Sequence, residues 1–115
     1  MALVGQIVIL RLQSYESGVP VLYNNRPYLI VELSTAHAGV LTISSTAGKE
    51  RKLLLETNID LECLPPLRKP SFVKVDSFQP ITLTELSAGF IVGNGQCLPQ
   101  DKMDTILSEY VKYKK

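Results

Sequence analysis

One stretch decides the fold class: Ser71-Phe72-Val73-Lys74-Val75-Asp76-Ser77. Its apolar and charged side chains alternate with a period of two, which predicts a β-strand. Val73 and Val75 fall on one face, and Lys74 and Asp76 fall on the other. Lysine and aspartate are depleted in strand interiors, and burying a carboxylate is costly unless a partner stabilises its charge. The charged pair therefore indicates either a solvated sheet face or the acid–base floor of a shallow site.

Length and composition bound the class of protein. The chain has 115 residues, of which 45% are hydrophobic and 20% charged, and its formal net charge is +1. These values predict one domain over residues 1–115 with a single core. The nearly neutral total argues against a uniformly basic nucleic-acid-binding protein, but it is compatible with a local basic patch. No signal-peptide pattern or membrane-length apolar run occurs, so we expect a cytoplasmic protein without membrane contact.

Metal and cofactor chemistry is not indicated by the sequence. Cys63 and Cys97 have no CxxC spacing, and His37 is the only histidine. A Cys/His zinc cluster and a Ser-His-Asp triad around a core histidine are therefore implausible. We expect no metal, no cofactor and two reduced, inert thiols, while a single disulfide between the cysteines remains an open alternative.

Strand signals dominate the chain. Six short strands are predicted, over residues 6–11, 27–33, 40–45, 51–56, 71–78 and 90–92. Turn signals separate them, among them Asn24 with Asn25, residues 35–39 and residues 47–50, and we expect Pro80 to end the fifth strand.

Two helical segments are also predicted. A short helical turn is expected over residues 82–88, and an amphipathic helix begins near Pro99. The apolar stripe of that helix follows helical spacing and comprises Met103, Ile106, Leu107, Tyr110 and Val111. Alternating βαβ units are absent, which argues against a parallel sheet. The prediction is a mainly β (α+β) fold, a strongly bent antiparallel sheet or half-open barrel with a C-terminal helix.

Several motifs occur in a characteristic order. They are Gly5-Gln6-Ile7-Val8-Ile9, Arg26-Pro27-Tyr28-Leu29-Ile30-Val31, Leu41-Thr42-Ile43-Ser44-Ser45, Val73-Lys74-Val75-Asp76, and Ile91-Val92-Gly93 followed by Leu98, Met103 and Ile106-Leu107. In this order the chain resembles the MazF/PemK toxin family of bacterial toxin–antitoxin systems. The resemblance covers most of the chain. It implies an SH3-like barrel that forms a homodimer.

The resemblance also implies an activity. It points to a sequence-specific, metal-independent endoribonuclease that cleaves single-stranded RNA through the 2′-hydroxyl and is neutralised by a cognate antitoxin protein. The family's catalytic positions fall on Arg26, Ser44 and Asp76. Its substrate-binding positions are taken to fall on Ser45, Thr46, Lys74 and Ser77. The chain departs from the family where serine replaces the common threonine at Ser44, and where Ser77 replaces the common glutamine.

The chemistry of these residues suits a phosphodiester. A guanidinium stays charged and can donate two parallel hydrogen bonds to phosphate oxygens, so Arg26 would stabilise the phosphorane. Asp76 could be the base, but the nearby positive charges of Lys74 and Arg26 count against that role and favour one in orienting Arg26. The family resemblance then implies Arg26 as both acid and base. Tyr23, Tyr28 and Phe72 either stack on bases or pack in the core.

Two other function classes stay open. The first is a protein-binding module on the same barrel, either a gyrase poison of the CcdB type or a phage or plasmid regulator. The second is an unrelated small β-barrel adaptor. The near-neutral charge and the departures from the family favour the binding module, as a member that has lost or never had nuclease activity.

Overall fold

The computed structural model describes residues 2–10, 13–16, 19–22 and 26–113, with backbone alone for 13–16 and 19–22. The strands in this part of the chain are β1 (Ile7–Leu10), β2 (Gln13–Glu16), β3 (Val19–Leu22), β4 (Arg26–Leu33), β5 (His37–Ser45), β6 (Asn58–Glu62), β7 (Ser71–Lys74), β8 (Gln79–Thr82) and β9 (Phe90–Ile91). The helices are α1 (Leu83–Ser87) and α2 (Gln100–Tyr110), with 3-10 segments at Glu50–Leu54 and Val92–Gly95.

One antiparallel sheet organises the molecule. Its order is β6-β7-β5-β4-β1-β9, and β8 pairs with β5 outside this path, while β2 and β3 form a separate hairpin. Within the described ranges no pairing joins β6 to β9, so the hydrogen-bonded path does not close. The prediction of a mainly β, antiparallel fold with one main helix is confirmed.

Apolar side chains cover both faces of this sheet. On one face, β-strand residues such as Leu41 and Ile43 pack with Met103, Ile106 and Tyr110 of α2. On the other face, Val40 and Ile30 belong to a second cluster that includes Leu86 of α1 and Ile81 of β8. The alternation of side chains along a strand explains why consecutive residues enter different clusters.

The longest strand, β5, changes its partner half-way. Its first half pairs with β8, from His37 opposite Thr82 to Val40 opposite Gln79. Its second half pairs with β7, starting with Ile43 opposite Val73.

A side chain completes the ladder between these halves. The Ser77 hydroxyl accepts a hydrogen bond from the Thr42 N–H at 2.8 Å and donates one to the Lys74 carbonyl at 2.6 Å. It therefore satisfies a backbone donor at the switch and holds the turn that joins β7 to β8.

Two strand predictions are wrong. Residues 51–56 were predicted as a strand, but a 3-10 helix occupies Glu50–Leu54 and the strand begins at Asn58. The predicted strand over residues 71–78 ends at Lys74. A turn follows, and a second strand contains Pro80, which was expected to end the first. Proline is accepted there because β8 pairs only with β5 among the described strands, and a proline on an edge needs no ladder donor.

Other boundaries also differ. Strand β5 begins at His37, inside the predicted turn, and the β2–β3 hairpin lies where a polar loop was expected. The predicted helix near Pro99 is confirmed as α2, but Val111 is 53% exposed and leaves its apolar stripe. The predicted turn at Asn24 and Asn25 lies outside the described residues. None of the described helices has the length and apolar character needed to cross a membrane.

The end of α2 is tied to the sheet by its last residue. The Tyr110 hydroxyl donates a 2.6 Å hydrogen bond to the Glu32 carboxylate, and its ring stacks on Phe78 with centroids 5.8 Å apart. Phe78 in turn lies over Gly39, where an added Cβ would come within 2.4 Å of the ring. Glycine at this position of β5 therefore makes room for the aromatic pair that anchors the helix.

We expect Ser77→Ala to lower the free energy of unfolding by about 1–3 kcal/mol, because it leaves the Thr42 N–H without its acceptor. Urea unfolding followed by circular dichroism measures this. The matched control is Ser87→Ala, whose exposed hydroxyl donates only to the Thr84 carbonyl. That change is expected to stay within about 0.5 kcal/mol. Equal effects of the two substitutions would contradict the role of Ser77.

The Tyr110 hydrogen bond predicts a specific pH dependence. Burial and the Glu32 carboxylate raise the pKa of Tyr110 above its ordinary value of 10.0. Because the pKa is raised in the folded state, the contribution of this hydrogen bond to the free energy of unfolding is complete below pH 10 and is lost at higher pH. Tyr110→Phe should cost about 1.5–3 kcal/mol at neutral pH, and the difference from wild type should shrink above pH 10. Thermal unfolding across pH measures this, with the exposed Tyr113→Phe as control; a pH-independent difference contradicts it.

Candidate functional site

Strand register brings three of the predicted site residues together. Tyr28 of β4 pairs with Thr42 of β5, and Arg26, two residues before Tyr28, lies on the same face of the sheet and pairs with Leu10 of β1. Ser44 also pairs with Phe72 of β7, two residues before Lys74. These residues alternate with the side chains that pack against α2, so they belong to the opposite face of the sheet.

Electrostatics define a cation cluster on this face. Burial lowers the pKa of Lys74, and positive charges lower it further in the order Lys52, Arg26 and Lys49. The Asp76 carboxylate opposes them and has the smallest influence. We call Arg26, Lys49, Lys52 and Lys74 the basic cluster. Three other cations and one carboxylate act on Lys74, which indicates a local positive potential that the net charge of +1 conceals.

Two buried hydroxyls lie at the same end of β5. Ser44 is 4% exposed and Thr46 is 8% exposed. In the part of the chain that the structure describes, neither hydroxyl oxygen has a hydrogen-bond partner. Buried polar atoms are nearly always satisfied, so each hydroxyl has an open hydrogen bond that a water or ligand oxygen can complete. Ser44 pairs with Phe72, whereas the Thr46 N–H donates to the Pro70 carbonyl at 3.0 Å, so Thr46 lies further from Lys74 than Ser44 does.

The remaining predicted site residues have other surroundings. Ser77 uses its hydroxyl for two backbone contacts, so it holds the β7–β8 turn and does not present a free donor. Ser45 alternates with Ser44 and therefore points to the other face of β5. Asp76 is exposed in the turn that follows β7. Strand alternation thus places Arg26, Ser44 and Lys74 on one face of the sheet, and both Arg26 and Asp76 influence the pKa of Lys74.

The candidate stacking residues are packed in the interior. Phe72 is 0% exposed and Tyr28 is 5% exposed, so neither ring offers a free face to a base. Burial raises the pKa of Tyr28, and the positive charge of Arg26 partly opposes this effect. Tyr23 lies outside the described residues.

Sequence reasoning missed Lys49 and Lys52. Both lie at the 3-10 segment that was predicted as a turn and a strand, and strand alternation would have dispersed their charges. A signal was present in Lys49-Glu50-Arg51-Lys52, the four consecutive charged residues that precede the leucine run. Only the folded chain brings this segment beside β7, where the Val75 N–H donates to the Thr57 carbonyl at 2.8 Å.

No protein-family model matches the chain. No curated protein matches it significantly. The resemblance to the MazF/PemK family therefore stays a prediction that rests on the order of the sequence motifs. Among the described residues, no group of three or more histidine, cysteine, aspartate or glutamate side chains could hold a metal ion.

The basic cluster predicts that two substitutions shift the pKa of Lys74 in opposite directions. Lys52→Gln should raise the pKa of Lys74 toward its ordinary value of 10.5, because it removes the largest cationic influence. Asp76→Asn should lower that pKa further, because it removes the one favourable charge. Titration of isotope-labelled methyl-lysine by NMR measures both shifts. Lys112→Gln, at the end of α2, is the control and should leave Lys74 unchanged. An unchanged or lower Lys74 pKa in Lys52→Gln contradicts the cluster.

Proposed function

We propose that this protein binds single-stranded RNA on the basic cluster and cleaves it without a metal ion, as a toxin-type endoribonuclease. The observation that carries the proposal is the combination of four cations with two buried hydroxyls, Ser44 in β5 and Thr46 just after it, that have no hydrogen-bond partner among the described residues. A phosphodiester supplies both the negative charge and the oxygen acceptors that this combination requires.

The residues suggest a division of roles. The 2′-oxygen of RNA attacks phosphorus, the bond to the 5′-oxygen breaks, and the products are a 2′,3′-cyclic phosphate and a 5′-hydroxyl. Arg26 stabilises the charge on the phosphorane oxygens, since its fork matches their geometry. Lys74 donates a proton to the leaving 5′-oxygen, because its lowered pKa makes the ammonium a stronger acid than an ordinary lysine.

Asp76 receives the proton of the 2′-hydroxyl in this scheme. The surrounding cations stabilise the developing 2′-oxyanion, which lowers the barrier to this proton transfer. Ser44 and Thr46 donate to a non-bridging phosphate oxygen. Both hydroxyls are buried, so this contact requires neighbouring side chains to move aside on binding.

Three further features belong to the same proposal. Strong bending of the sheet into an SH3-like barrel, a homodimer and a cognate antitoxin follow from the MazF/PemK resemblance. The antiparallel sheet with β8 added to β5 is compatible with such bending. A cytoplasmic location is part of the proposal as well.

A second candidate is a protein-binding module of the same fold without nuclease activity. The burial of Ser44 and the use of the Ser77 hydroxyl by the backbone favour it, since both reduce the donors available to a substrate. Such a module, a gyrase poison of the CcdB type or a phage or plasmid regulator, would retain a protein partner on purification and leave RNA intact.

The nuclease proposal predicts cleavage of a diverse single-stranded RNA pool in EDTA, with 2′,3′-cyclic phosphate ends. Arg26→Ala and Lys74→Gln should each lower the rate by about 10²-fold or more, because each removes a charge that acts in the transition state. Gel analysis of labelled RNA measures the rates, and Lys112→Gln is the control that keeps wild-type activity. A wild-type protein that leaves the whole pool intact overturns the proposal.

A further inference from the structure

Two adjacent leucines stand out on the surface beside the basic cluster. Leu54 is 86% exposed and Leu55 is 53% exposed. Isolated exposed leucines are ordinary features of protein surfaces. Leu54 is the last residue of the 3-10 segment and Leu55 is its C-cap, so the pair forms a small apolar patch. Its neighbours in the sequence are the cations Lys49, Arg51 and Lys52 and the carboxylates Glu50 and Glu56, so positive charges outnumber negative ones there.

Hydrogen bonds hold this patch next to Lys74. The Leu55 N–H donates to the Lys52 carbonyl at 3.2 Å, and the Asn58 side-chain amide donates to the same carbonyl at 2.8 Å. The Asn58 N–H donates to the Leu55 carbonyl at 3.1 Å. Asn58 itself stands opposite Lys74 in the β6–β7 ladder. The leucine pair is therefore attached to the strand position that faces the most perturbed lysine of the cluster.

We propose that Leu54 and Leu55 form an apolar platform for a nucleobase of the single-stranded RNA whose phosphate is held by the basic cluster. The inference rests on the proposed function. Base and phosphate belong to one covalent chain, so a phosphate bound at Lys74 brings a neighbouring base to the adjacent surface. Aliphatic side chains there remove the apolar face of the base from water without reading its edges, so the contact tolerates different bases.

The surroundings of the patch favour RNA over a protein as its occupant. Lys49 and Lys52 lie within electrostatic range of Lys74, so the patch is approached through a positive potential. The buried tyrosine and phenylalanine rings leave the site without an aromatic stacking partner among the described residues. The exposed leucines are the apolar surface available for that contact.

Fluorescence anisotropy tests the platform with a cleavage-resistant, fully 2′-O-methylated RNA of mixed sequence. A second probe has the same backbone and charge but carries abasic sites. Wild type should bind the intact probe about 5- to 10-fold more tightly than the abasic one. Leu54→Ser with Leu55→Ser should abolish this preference while leaving the salt dependence unchanged. Lys52→Ala should weaken both probes and reduce the salt slope by about one.

Two controls keep the outcomes separate. Leu3→Ser changes a leucine that is 50% exposed elsewhere on the surface, and it should retain the wild-type preference. Leu54→Ser alone, at the most exposed of these positions, gives a partial effect if the double variant is unstable, and thermal unfolding monitors stability. If the double variant still prefers the intact probe, the platform proposal is wrong and the proposed function is unaffected. A wild-type protein that binds neither probe overturns the proposed function itself.

Discussion

The switch of strand β5 from one partner to another is the constraint on which the rest of the structure depends. At that point the ladder lacks a backbone acceptor for Thr42, and the Ser77 hydroxyl provides one while donating to Lys74. This contact lies between the end of β7 at Lys74 and the start of β8 at Gln79. It also leaves Lys74 as the last residue of its strand, one residue past the pairing of Val73 with Ile43 in the second half of β5. A residue that the sequence suggested as a substrate ligand thus positions the site instead of lining it.

The candidate site is costly to the folded state in the absence of a ligand. Burial of Lys74 near three other cations disfavours its charged form, and only Asp76 compensates. Ser44 and Thr46 add buried hydroxyls without partners. Buried polar groups without hydrogen-bond partners, in a fold whose other features agree with one another, are typical of functional sites. A bound phosphate would remove both costs, because it would neutralise the cations and accept hydrogen bonds from the hydroxyls.

The segment that follows Gly48 has two properties that serve the same ligand. Its lysines extend the positive potential toward β6, and Leu54 and Leu55 remain on the surface where a strand would have buried alternate leucines. The anchoring of its Lys52 carbonyl by Asn58 explains how a short exposed segment keeps a defined position. Charge for the phosphate and apolar surface for a base would then come from one loop, while the strands supply Arg26 and Ser44.

The sequence by itself determined the β-rich class, the position of α2 and the alternation that assigns residues to faces. Those features follow from the periodic spacing of apolar residues over short stretches of sequence, because the buried face of each strand or helix must be apolar. The resemblance of the sequence motifs to the MazF/PemK family pointed to Arg26, Ser44 and Lys74, whose side chains are chemically suited to phosphate. Only the tertiary structure decided that the leucine run forms a 3-10 segment, that Pro80 lies inside a strand and that Lys52 joins the cluster. These outcomes depend on pairing between distant strands and on charges brought together through space, and neither is encoded in the order of neighbouring residues.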